Sequence, residues 1–212
     1  MAVKEAVLPF ARFRTAEGRA VDSLLGPEMR STGEVMGIDE HYDTAFAKAQ
    51  AGAGVALPTQ GRVFVSVANK DKRAAVAYVR MFRDLGFEIV TTGGTAKVLR
   101  RNGIDSTVVA KISDRDSTER TVVDLIEAGE IDLVFNTPSS GGDSRGDGYE
   151  IRAAATSVGM PIVTTVAQLG AVVQAVTALR EHTWDVTPLQ VHEQRLRESV
   201  AAARESAEPA RG

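Results

Sequence analysis

From Gly61 onward, short valine-rich stretches alternate with helical patterns over brief connections, and that alternation restricts the fold more than any other feature of the chain. "RVFVSV", "FEIVT", "STVVA", "IDLVFNT" and "PIVTT" read as five buried-type strands. Between and after them lie the helical stretches "KRAAVAYVRMFRDLG", "TAKVLRRNG", "TERTVVDLIEAG", "YEIRAAATSVG" and "VAQLGAVVQAVTALR". In the first, Val76, Val79, Phe82 and Leu85 recur every third residue with Ala75 and Tyr78 beside them, and Gly86 closes it. Strands that alternate with helices in this way specify an α/β fold, a doubly wound parallel sheet covered on both faces. From about Val191 the chain reads as a polar helix and a frayed end.

Residues 1–57 follow another pattern. "AVLPFARF" contains a proline and reads as an edge strand. "LLGPEMRSTGEVMG" is punctuated by Pro27 and three glycines, and "HYDTAFAKAQAG" reads as a helix with Tyr42, Phe46 and Ala49 on one stripe. "AGAGVALPTQG" reads as a linker.

Open parallel sheets bind ligands beyond the carboxyl ends of their strands. There the sequence places Lys70 and Lys72 after the first strand, "TTGGT" after the second, Lys111 after the third, "NTPSSGGDSRGDG" after the fourth, and Thr164 and Thr165 after the fifth. Lysines, hydroxyls and glycine amides suit a phosphate. "TTGGTA" lacks the dinucleotide G-x-G-x-x-G spacing and the Gly-Lys-Ser/Thr of a P-loop. Alone, the pair Gly93–Gly94 reads as a turn that lets a strand reach its helix. With Lys72, Thr92, Thr95 and Lys111 at the same edge, it reads as a phosphate socket.

Catalysis finds little support. None of His41, His182 and His192 falls in these loops, so no nucleophile has a histidine base, and a histidine metal site is not expected. The absence of cysteine removes thiolate chemistry and cysteine-type zinc sites. Asp71, Asp114, Asp116 and Glu119 are the acidic candidates, with Asp116 and Glu119 expected to cap the helix after the third strand. Asp143 and Asp147 read as solvated turn residues in a glycine- and serine-rich loop that is either a lid or a disordered connection. A net charge of -3 argues against a nucleic-acid partner. No apolar run has the length of a membrane span and the start lacks a signal-peptide core, so a cytoplasmic protein is expected.

"TTGGTAKVL", "IDLVFNTPS", "DGYEIRAAA" and "PIVTT" resemble the methylglyoxal-synthase-like domain at the C-terminal end of the carbamoyl-phosphate synthase large subunit. "VKEAVLPFARF" and "LLGPEMRSTGEVMG" resemble the end of that subunit's second ATP-grasp domain, and "YDTAFAKAQAGAG" the helix leading into the regulatory domain. The resemblance implies three regions: a carbamoyl-phosphate-domain remnant with linker helix over 1–57, a methylglyoxal-synthase-like regulatory domain over 58–190, and a C-terminal helix and tail over 191–212. It implies a piece of a longer glutamine-dependent ligase of pyrimidine and arginine biosynthesis. Its partners would be the rest of the large subunit and the small glutaminase subunit, and its parent would use ATP, Mg2+ or Mn2+, and K+, none of them held by this piece. Nucleotide monophosphates of the UMP and IMP type are the implied effectors. Lys72, Thr92, Thr95, Lys111, Asn136 and Thr137 match positions that hold phosphate and ribose, with Gly93 and Gly94 in the same loop, and Thr164 matches a position near an ornithine-responsive interface. Methylglyoxal synthase, a lyase acting on dihydroxyacetone phosphate, is the enzymatic alternative. By resemblance it removes a proton with aspartates where this chain has Asn69 and, near the other, Glu119; an asparagine is no base at neutral pH. Residues 1–57 are expected to expose an apolar patch and to favour self-association.

Overall fold

The computed structural model describes residues 1–13, 21–26, 28–113, 119–138, 146–181 and 185–207. Asp114, Asp116, Asp143, His182 and most of the glycine- and serine-rich loop lie outside the described residues. The chain divides into two units, residues 1–181 and 182–212.

Five strands form the central parallel sheet: β3 (Arg62–Ser66), β4 (Glu88–Thr92), β5 (Thr107–Val109), β6 (Leu133–Asn136) and β7 (Ile162–Val163), in the order β5-β4-β3-β6-β7. Successive residues of β3 point to opposite faces, and each meets its own layer. Val63 and Val65 enter a core with Ala75, Val79 and Phe82 of α2 (Lys72–Asp84), Leu99 of α3 (Gly93–Arg101), and Leu169, Val172 and Val176 of α6 (Val166–Glu181). Phe64 enters the opposite core with Val122 and Ile126 of α4 (Val122–Glu127) and Ile151 and Ala155 of α5 (Asp147–Ser157). The five-stranded doubly wound sheet with helices on both faces is therefore present as expected. The helices α2 and α3 end where Gly86 and Gly103 adopt φ of 86° and 70°, which a side chain would strain.

Before this sheet, β1 (Ala2–Val7) pairs antiparallel with β2 (Gly33–Ile38), Ala2 opposite Ile38 and Val7 opposite Gly33. α1 (Tyr42–Gly52) packs on both strands and on α6. The expected edge strand over 6–13 is corrected: the strand runs over 2–7 and stops short of Pro9, which leads into a 3-10 turn at Phe10–Arg12. β2 replaces what read as punctuated loop. The stripe of α1 is also corrected, since Tyr42 is exposed while Ala45, Phe46, Ala49 and Gln50 are buried.

The cap of α4 differs from expectation too. Its N-cap is Thr121, whose hydroxyl accepts from the Asp124 amide at 3.4 Å while Asp124 Oδ2 accepts from the Thr121 amide at 2.7 Å. Asp124 rather than Glu119 completes the capping box. Hydrogen bonds from the Thr121 amide and hydroxyl hold the Asp124 carboxyl below its ordinary 3.8. A depressed folded-state pKa means the cap stabilises above pH ~4 and is lost as pH falls through the folded value. Thr121→Ala is expected to cost about 1 kcal/mol in urea unfolding at pH 7, and less at pH 3.

In the second unit, α7 (Leu189–Ala207) is polar along most of its length; Leu189, Leu196 and Val200 are exposed.

Candidate functional site

The strand order reverses at β3, whose chain neighbours build outward to β4 and β5 on one side while β6 and β7 lie on the other. Such a reversal parts the loops at the carboxyl ends and opens a crevice there. Registers Ser66↔Asn136, Val65↔Thr91 and Thr92↔Val109 align the strand ends, so the loops carrying Asn136–Thr137, Lys72, Thr92–Thr95 and Lys111 leave the same sheet edge.

At the β3–β4 side the geometry favours an anion. Lys72 is the first residue of α2, and its ammonium donates to Asn69 Oδ1 at 2.8 Å and to the Gly94 carbonyl at 3.3 Å. Gly93 and Gly94 are the first residues of α3, a correction to their reading as a turn before a helix beginning at Thr95; neither has positive φ. Thr92 is the N-cap, but its hydroxyl caps nothing. Thr95 is buried, Thr92 half-buried, and among the described residues neither hydroxyl has a hydrogen-bond partner.

The five helix starts at this edge divide by charge. α4 and α5 carry acidic residues in their first turns, Asp124 and Asp147 with Glu150, and α2, α3 and α6 carry none. The start of α3 is therefore an uncompensated positive helix end beside Lys72, whereas at α2 the Asp71 carboxylate stands in the N-cap position and the charge of Lys72 opposes the dipole. Glycine costs up to about 1 kcal/mol relative to alanine inside a helix. A Cβ on Gly93 would meet nothing within 4 Å, and one on Gly94 only Lys72 Nζ at 3.6 Å. Packing inside the protein does not require either glycine; both leave room for a group approaching from outside.

On the other side of β3, a cavity of about 650 Å3 is lined by Ser66, Asn136, Thr137, Gly148, Arg152 and Asp22, among others. Asn136 and Thr137 are buried and already bonded: Asn136 Nδ2 donates to the Ser66 carbonyl at 3.1 Å, its Oδ1 accepts from Arg152 at 2.6 Å, and the Thr137 hydroxyl accepts from the Ala68 amide at 2.9 Å. They shape the wall and keep only their residual hydrogen-bonding capacity for a ligand. Lys111 is exposed two residues beyond Val109. Asp147 is no solvated turn residue; it begins α5, lines this cavity and accepts from the Ser113 hydroxyl at 3.2 Å. Asp71 precedes α2 without capping it. Thr164 lies apart, in a second cavity of about 420 Å3 walled by Glu5, Gln50, Ser23, Thr156 and Gln168 among others, and its amide donates to Gln168 Oε1 at 3.3 Å.

Arg152 and Asp22 escaped sequence reasoning. Arg152 is 6% exposed, and Nε and Nη2 each donate to an Asp22 oxygen at 2.6 Å. The available signal was an arginine beside Ile151 on the apolar stripe of "YEIRAAATS", a buried charge that demands a partner. Among the described residues no group of three His, Cys, Asp or Glu side chains could hold a metal ion, and no helix is long and apolar enough to cross a membrane.

Residues 74–164 match the MGS-like domain family. The carbamoyl phosphate synthase large chain of Kocuria rhizophila is 72% identical over 200 residues, 94% of this chain and 18% of the relative. That of Micrococcus luteus is 65% identical over 203 residues, 95% of this chain and again 18% of the relative. This chain thus spans about a fifth of the length of the curated relatives it matches. A crystal structure of methylglyoxal synthase from Elizabethkingia anophelis aligns with 62% of this chain and 97% of its own length, at 14% identity and a TM-score of 0.42.

Proposed function

The chain belongs to the carbamoyl phosphate synthase large chains, as their MGS-like region, and from that premise we propose that it is the C-terminal regulatory portion of such an enzyme, binding a nucleotide monophosphate of the UMP or IMP type at the carboxyl ends of β3, β4 and β6. The observation that carries the reading is Lys72 standing against the uncapped, glycine-opened start of α3. The phosphate sits on the α3 amides, between Lys72 and the hydroxyls of Thr92 and Thr95, with Lys111 at the rim; the ribose and base extend toward Asn136 and Thr137. Each contact is a charge-assisted or amide hydrogen bond in a place where the start of α3 already favours negative charge.

Such a site grips phosphate without acid–base chemistry. Asn69 accepts the Lys72 hydrogen bond and so orients the ammonium. The bound nucleotide leaves unchanged and acts by differential affinity for two conformations of the intact enzyme, whose ATP, divalent-cation and K+ sites lie outside this region. The rest of the large chain and the glutaminase subunit are its partners, in the cytoplasm.

Calorimetric titration with UMP and IMP tests the reading: binding at or below millimolar concentration is expected for at least one of them, and Thr95→Ala weakens it. No binding of either nucleotide sinks it, and turnover of dihydroxyacetone phosphate to methylglyoxal would replace it with the lyase. Met29 and Met36 are 84% and 56% exposed, and Leu24 and Leu25 lie exposed nearby in the sequence. We expect that apolar surface to drive self-association, read as a concentration-dependent sedimentation coefficient that Met36→Lys abolishes.

A further inference from the structure

One wall of the cavity beside β6 comes from far away in the chain. Asp22 and Leu24 line it, although they precede every strand of the parallel sheet. Residues 21–26 belong to neither a helix nor a strand. Their contact with α5 is made by Arg152, whose fork takes both Asp22 oxygens at 2.6 Å. Asp22 Oδ1 also accepts from the Leu24 amide at 3.0 Å, which fixes the local bend.

The remaining nitrogen of the same guanidinium, Nη1, donates to Asn136 Oδ1 at 2.6 Å. That bond and the one from Asn136 Nδ2 to Ser66 set the amide's orientation, leaving one lone pair and one N–H for a ligand. Gly148 makes the approach possible: a Cβ there would lie 2.9 Å from Arg152 Nη1 and 3.3 Å from Asn136 Oδ1. A planar guanidinium cannot release one partner and keep the other in the same pose, because its donors are rigidly arranged. Asn136 at the end of β6 and Asp22 in the N-terminal segment therefore share one rigid connector.

We infer that Arg152 is a positioning residue that couples the nucleotide site to residues 21–26: it presents Asn136 to the ligand in a fixed orientation only while Asp22 holds its other side. The inference rests on the nucleotide reading above. Coupling of two sites is reciprocal, so docking of residues 21–26 tightens nucleotide binding and nucleotide tightens their docking by the same factor.

The test uses the full chain and two variants. Asp22→Asn removes the charge that grips Arg152, and Arg152→Lys keeps the charge but offers a single ammonium that cannot span both partners. Without nucleotide, the Asn136 side-chain amide resonances shift in Asp22→Asn, although the two residues do not touch. With UMP or IMP, both variants bind about tenfold more weakly than the parent, and in the parent nucleotide slows amide exchange over residues 21–26. Folding of each variant is checked by its thermal transition; should Asp22→Asn lose its transition, the coupling is read in the parent, where amide exchange over residues 21–26 that nucleotide leaves unchanged overturns it. Unchanged Asn136 resonances overturn the inference, and so does parental nucleotide affinity in a folded variant. If the parent binds neither nucleotide, the functional reading fails by itself, and the Asn136 shift still decides the coupling.

Discussion

Lys72→Ala is expected to weaken UMP or IMP binding by roughly 10- to 150-fold, the equivalent of about 1.5–3 kcal/mol for a hydrogen bond to a charged group. Lys72 is the residue of the proposed site that brings a full positive charge to the start of α3, through its contact with the Gly94 carbonyl at 3.3 Å. Its removal should also change stability in the opposite direction. A lysine in the first turn of a helix opposes the macrodipole, and the acidic residue at the start of α2 is Asp71 in the N-cap position, before that turn. The variant should therefore be as stable as the parent or more stable by up to about 1 kcal/mol, while its affinity collapses. Calorimetry and thermal unfolding on one sample separate the two effects. A fall in both would mean that Lys72 supports the fold and that the anion is held elsewhere. Raising the salt concentration should weaken parental binding and leave the residual binding of Lys72→Ala less affected.

The second large effect is expected at Gly37→Ala, with a loss of at least about 3 kcal/mol, the upper end of what overpacking costs in a core. A Cβ there would lie 2.0 Å from the Ala45 carbonyl oxygen, 2.5 Å from the Ala49 amide and 3.0 Å from Lys48 Cβ. Two of these three neighbours are helix backbone and cannot rotate away, so α1 has to leave β2. For a chain of this size such a loss lowers the melting temperature by roughly 6–12 °C. Exchange over residues 33–38 should rise more than exchange in β3 and β6, since the ribbon lies outside the parallel sheet. The same junction holds Asp39 against Lys48 at 2.8 Å. Burial pushes the Asp39 carboxyl up, but the Lys48 hydrogen bond and charge, with the His41 amide, hold it below its ordinary 3.8. A depressed carboxylate contributes above pH ~4 and is lost as pH falls through its folded value. Ribbon protection in the parent should accordingly fall between pH 5 and pH 3; an unchanged value would remove the pair from the junction.

How far the fold could be read from the sequence follows from the range of the forces involved. β3, α2 and β4 write their burial as local periodicity, Val63 and Val65 against Phe64, and Ala75, Val79 and Phe82 down one stripe. β2 carries no such signature. Gly33 and Gly37 look like punctuation, yet Gly37 is there because α1 lies against it. The candidate site divides in the same way. Lys72 and "TTGGT" were legible because each sits next to a strand end in the sequence. Asn136 and Thr137 were legible as positions; that their polar atoms are engaged by Ser66, Arg152 and Ala68 was not.

By itself the sequence determined the five strands and the helices between them, and hence a parallel sheet whose carboxyl edge gathers lysine, threonine and glycine, because buried periodicity and strand-to-helix connections are properties of neighbouring residues. Only the tertiary structure decided that Gly93 and Gly94 are the open start of a helix rather than a turn, that Lys72 reaches across from α2 to that start, and that Arg152 joins Asn136 to Asp22. The last of these spans 130 residues of chain. A pairing at that distance leaves no period and no spacing in the sequence, since it exists only after the sheet has brought α5 and the N-terminal segment to the same edge.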